Sequence, residues 1–120
     1  GLCLPPLEAS RMGLPVIIPN HTGFKDYALE DTSFTFDVDK WVVCNTIPEW
    51  EGWVTRAFYG QEFPEFGNDK VDEVGNIMRY VINNPKEAKF KVKEMNKKID
   101  KLYTWDAACN VVEKRIKEIL

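Results

Sequence analysis

From Gly1 to Pro19 the chain spells out a tight loop, a proline-opened helix, a glycine stop and an apolar strand, and few folds accept that order of parts. Pro5 and Pro6 suit the first turn of a helix, where their missing N–H groups are no loss. Leu7 to Met12 continues the helix, and Gly13 offers a left-handed stop. Leu14 to Pro19 then runs apolar, with β-branched Val16, Ile17 and Ile18 in a row. A run apolar on both faces is the pattern of a central strand in a parallel sheet. Helix, short link and strand make half of an α/β repeat, so the fold class expected is α/β.

The same stretch points to a ligand. A loop that feeds backbone N–H groups into a helix start is an anion site. Glu8, one turn in, has the acceptor oxygens to hold hydroxyls. Phosphate joined to sugar suits that pairing. Asn20-His21-Thr22-Gly23 is turn chemistry directly after the strand, at the edge where open parallel sheets bind ligands. His21, the one histidine, reads equally as a donor or acceptor contact and as a loop histidine bonded to backbone. Glu8 has a plainer reading too, as an exposed carboxylate favouring the helix N-terminus.

Composition narrows the class. At 120 residues and 44% hydrophobic, one domain with a true core is within reach. No apolar run approaches a membrane span. Three widely spaced cysteines, Cys3, Cys44 and Cys109, make no C-x-x-C and no His/Cys cluster, so neither zinc nor a disulfide framework is expected. Reduced thiols and a cytoplasmic location are the simpler expectation. Residues 1–69 carry 4 basic and 11 acidic side chains, while residues 70–120 carry 12 basic and 8 acidic. An acidic body argues against a nucleic-acid partner. The basic half leaves room for peripheral contact with an anionic membrane surface, although a charge run on helices is usually a solvated face.

Further along, a short helix is expected from about Phe24 to Leu29. Phe34, Phe36 and Val38 alternate with polar residues as a half-exposed strand, and Trp41 to Cys44 reads as a second short one. Residues 45–69 read as an irregular loop dense in aromatics, Trp50, Trp53, Phe58, Tyr59, Phe63 and Phe66 among them, which needs something to pack on. It is expected to lie over the domain near an inter-domain cleft. Three helices close the chain. Asn68 or Asp69 caps the first, whose face is Val71, Val74, Ile77, Met78, Val81 and Ile82. The second shows Ala88, Val92, Met95, Ile99 and Leu102 with lysines opposite. Thr104 caps the third, with Trp105, Ala108, Cys109, Val112, Ile116 and Ile119 as its stripe. One clear central strand cannot make a parallel sheet, so strand neighbours are expected outside these residues.

Taken together, Gly-x-x-Leu-Pro-Pro-Leu-Glu-Ala, Gly-Leu-Pro-Val-Ile and Pro-Asn-x-x-Gly resemble the donor-binding domain of glycosyltransferase family 4 enzymes of the GT-B fold. The family stretch reads Glu-Gly-Phe-Gly-Leu-Pro-x-Leu-Glu-Ala-Met-Ala-x-Gly-x-Pro-Val-Ile. Asp72 to Arg79, Asn84-Pro85-Lys86-Glu87-Ala88 and Tyr103-Thr104-Trp105-Asp106 are similar to its later helix, its Asn-Pro-x-x-Ala turn and its Phe-Ser-Trp-Glu entry to the last helix. The likeness spans nearly the whole chain, is loosest at 40–67, and is specific in the first nineteen residues.

The resemblance implies a Rossmann-like parallel sheet with flanking helices. Residues 1–120 would be the later part of the nucleotide-sugar-binding domain, with its upstream part and the N-terminal acceptor domain outside the chain. It implies a retaining transfer of a hexose from a nucleoside diphosphate sugar, of the GDP-mannose or UDP-glucose type, to an acceptor hydroxyl on a glycan, lipid or protein. The second glutamate of the family's Glu-x7-Glu motif, which holds ribose, falls on Glu8. The diphosphate-holding loop falls on Gly1, Leu2, Cys3 and Leu4. The first glutamate would precede Gly1, so no catalytic residue is assigned here and the segment alone is expected to be inactive. Nucleotide-sugar is a substrate, so no cofactor or metal is implied. A homo-oligomer is left open. A sugar-nucleotide epimerase of the same fold and a non-catalytic binding module remain as alternatives. One departure matters: Cys3 stands where the family usually has glycine, and a position needing positive φ would be strained by it. Cys3 as a nucleophile has no base nearby in sequence.

Overall fold

The computed structural model describes residues 2–45 and 57–120. The first helix, α1 (Pro5–Arg11), opens on its two prolines, with Leu4 already in helical backbone. It ends as expected. Gly13 has φ 85°, and the N–H groups of Gly13 and Leu14 donate to the Ser10 and Ala9 carbonyls at 2.9 and 3.1 Å. That crossed pair of bonds is the Schellman stop that a glycine permits.

Strand β1 (Ile17–Pro19) pairs in parallel with β2 (Phe34–Phe36), Ile17 beside Phe34 and Pro19 beside Phe36. A five-residue 3-10 turn, Thr22–Asp26, lies in the crossover where a short α-helix was expected. A second ribbon pairs β3 (Trp41–Val43) antiparallel with β4 (Glu62–Pro64). The aromatic loop is therefore not irregular throughout: 62–64 is a strand and Asn68 already begins a helix. Residues 46–56, with Trp50 and Trp53, lie outside the described residues, as does Gly1.

Helices α2 (Asn68–Asn83), α3 (Pro85–Leu102) and α4 (Trp105–Ile119) close the chain. Among the described residues the architecture is mixed α/β with two two-stranded sheets, one parallel and one antiparallel. Leu7 of α1 and Met95 and Ile99 of α3 bury Val16 and Ile18, together with Tyr27 and Ala28. On the other side, Pro19 and Phe36 share an apolar hollow with Val71 and Val74 of α2. The strand is thus covered deeply on one face and lightly on the other. Among the described residues, the second edge of β1 pairs with no strand.

Gly67 stands at the N-cap of helix α2, without the side-chain cap expected from Asn68 or Asp69. Asp69 folds back instead, and its Oδ1 would lie 2.6 Å from a Cβ at position 67, space that glycine leaves open. Thr104 does cap α4, accepting from the Ala107 N–H at 3.1 Å.

The basic half of the chain has a structural use. Lys91 is buried on the face of α3 where lysines were not expected. Its ammonium donates to the Glu30 carbonyl and sits 4.9 Å from the centre of the Phe34 ring. Lys98 donates to the Asp26 carbonyl at the end of the 3-10 turn, and Asn96 to the Ser10 carbonyl at 3.1 Å. Helix α3 therefore supplies donors to carbonyls at the C-terminal ends of two short helices.

Candidate functional site

The loop Leu2–Leu4 is tied from below. Cys3 has φ 57°, so the chain turns through the left-handed region just before α1. That conformation costs a residue with a Cβ about 1 kcal/mol. Tyr27, fully buried, shares its hydroxyl proton between the carbonyls of Cys3 at 2.7 Å and Leu2 at 3.1 Å. The carbonyls are thereby spent inward. The N–H groups of Leu2, Cys3 and Leu4 donate to no acceptor among the described residues.

Glu8 lies one turn into α1 and is exposed. Its carboxylate has no hydrogen-bond or ion-pair partner among the described residues, whereas the nearby Arg11 is spent on Asp100 at 2.8 Å. Beside the loop, Leu2, Leu4, Tyr103 and Trp105 line a hollow of about 620 Å³. Loop amides and an unspent carboxylate on one short helix can receive an anion and hydroxyls. They do not make a nucleophile of the exposed Cys3. Tyr27 lies under the loop with its hydroxyl pushed up to about 12, mainly by burial and further by Cys3 and Tyr103. It is no base at neutral pH.

His21 follows β1 at the C-terminal edge of the parallel pair. The ring is half-buried, edge-on to Phe24 at 5.6 Å and Trp41 at 5.7 Å, and tilted against Phe66 at 6.5 Å between ring centres. Its Nδ1 lies 3.0 Å from the Thr22 hydroxyl, so of the two readings of His21 the ring bonded to backbone is not the one that forms. Burial, and secondarily the charge of Lys25, hold its pKa below the ordinary 6.5. Both causes favour the neutral imidazole. Phe24 in turn meets Tyr27 edge-on at 6.1 Å, so rings run without a break from His21 to the hydroxyl under the loop.

Sequence reasoning missed Tyr27, because nothing local marks a tyrosine whose partner is 24 residues away. It also missed that Trp41 and Phe66 meet at His21, although the aromatic density around 45–69 carried a signal. Lys70 went unnoticed as well. Its ammonium is pinned at 2.7 Å by both Asp39 and Glu73, which raise its pKa by hydrogen bonding and keep it charged. Among the described residues, no three His, Cys, Asp or Glu side chains stand close enough to share a metal ion, and no helix is long and apolar enough to cross a membrane. Compared with protein-family models, curated proteins and solved structures, the chain matches none of them.

Proposed function

We propose that this chain is the donor-nucleotide side of a Rossmann-like domain in a retaining glycosyltransferase that moves a hexose from a nucleoside diphosphate sugar to an acceptor hydroxyl. The observation that carries the reading is the left-handed turn at Cys3. The family resemblance has glycine at this position, and the backbone takes the shape that glycine would favour. The turn leaves the amides of Leu2, Cys3 and Leu4 unspent for the diphosphate. Glu8 then accepts from the ribose hydroxyls. Catalysis of this kind rests on stabilising the leaving diphosphate, and the loop amides supply fixed dipoles for that charge.

Glu8 gives the test. A hydrogen bond from a ligand hydroxyl to a carboxylate is worth about 1.5–3 kcal/mol. Glu8→Gln should weaken binding of GDP-mannose or UDP-glucose by about ten- to a hundredfold in calorimetry. Equal affinity in the two proteins would remove Glu8 from the site.

A further inference from the structure

We infer that His21, Trp41 and Phe66 form a pyranose-binding corner at the C-terminal edge of the β1–β2 pair. The inference rests on the proposed function for its setting but on different residues for its content. Three features support it. The His21 ring is fixed on three sides by aromatic rings, and its Nδ1 is engaged by Thr22. Its Nε2 has no partner among the described residues, so one polar atom is left to meet a ligand. The walls beside it are open aromatic surface, with Trp41 44% and Phe66 51% exposed.

Those features select the ligand class. A ligand site is typically apolar wall with a few fixed polar groups. A pyranose offers C–H faces to aromatic rings and hydroxyls to a neutral imidazole nitrogen, and a hydroxyl can serve either tautomer because it both donates and accepts. A phosphate would want a cation. Desolvation and Lys25 act against the imidazolium here, which supports sugar over phosphate. The corner also lies one ring, Phe24, beyond the Tyr27 that pins the loop, on the edge where open parallel sheets take ligands.

The sugar has two sources, the donor hexose or an acceptor glycan, and one titration separates them. His21 and Trp41 ring signals are followed by NMR in the full chain with three probes: nucleoside diphosphate alone, the corresponding nucleoside diphosphate hexose, and free hexose or a short oligosaccharide. The expected result is that sugar-bearing probes move both rings and nucleoside diphosphate alone leaves them still. Movement with the nucleotide sugar alone assigns the donor hexose, and movement with the free saccharide assigns an acceptor. In calorimetry, His21→Ala should lose about three- to tenfold in affinity for the sugar-bearing probe and nothing for the nucleoside diphosphate. Nucleotide-sugar binding that shifts the Leu2–Leu4 amides but neither ring would overturn this inference and leave the proposed function standing. A free saccharide that moves the rings while no nucleotide binds would do the reverse. No response of the rings to any probe overturns the inference.

Discussion

Helices α3 and α4 are both amphipathic, and the structure treats them in opposite ways. Helix α3 is the more charged, yet it buries Ala88, Lys91, Met95 and Ile99. Helix α4 carries the bulkier apolar stripe, and none of its residues is buried; Trp105 is 87% exposed and Ile119 68%. Hydrophobic period tells which face of a helix is apolar, and a facing surface decides whether that face becomes core. Helix α3 has that surface in α1 and in the Tyr27 region, and it adds lysine and asparagine donors to their carbonyls. Helix α4 meets the rest of the described chain mainly at the elbow after Tyr103, where Thr104 caps it.

The sharpest break of that contrast is a pair of truncations. Met95 is wholly buried, so Met95→Ala should destabilise by about 2–5 kcal/mol. Ile116 is half exposed, so Ile116→Ala should stay within about 0.5 kcal/mol, with alanine's helix propensity offsetting the lost contact. Urea unfolding of the two variants measures both. Similar losses would mean that α4 is seated after all.

A smaller effect separates the lysines. Lys91→Met keeps the stem but strips the donor from the Glu30 carbonyl and the cation from Phe34, and about 1–2 kcal/mol should be lost. Lys97, on the exposed side of the same helix and paired with Glu94, should cost at most about 0.5 kcal/mol when changed to Met. Equal costs would show that α3 gains nothing from its buried cation.

The third change is the smallest and goes the other way. Cys3→Gly releases the left-handed strain and should stabilise by about 0.5–1 kcal/mol, net of glycine's extra freedom in the unfolded chain. The strain persists because Tyr27 and the core under it hold the loop. A destabilised Cys3→Gly protein would mean that the thiol side chain contributes packing that the strain argument leaves out.

Much of the frame was legible in the residues. Pro5, Gly13 and Thr104 act through their own backbone or through a neighbour three residues away, and each does what its type dictates. Ala88, Met95 and Ile99 of the α3 stripe were readable from period alone, but Leu102 at its end stays half exposed and buried Lys91 was not foreseen. Its place inside the fold depends on a carbonyl 61 residues away. Strand β4 was missed because Glu62, Phe63 and Pro64 carry no alternation; the pairing with Trp41–Val43 makes them a strand. Glu8 and the loop residues stood out in the local pattern, whereas the glycine-like place of Cys3 only raised the question of a positive φ that the structure answers. Tyr27 under the loop, and the meeting of His21 with Trp41 and Phe66, are products of the fold and have no local signature.

The most direct measurement is a titration of the chain with GDP-mannose and with UDP-glucose, followed at the backbone amides of Leu2, Cys3 and Leu4 by NMR. The account predicts saturable shifts of these three amides with one of the two donors, retained in the wild-type protein and weakened about ten- to a hundredfold by Glu8→Gln. Amides that stay still at saturating donor, while the protein remains folded, would contradict the assignment of this loop to a nucleotide diphosphate.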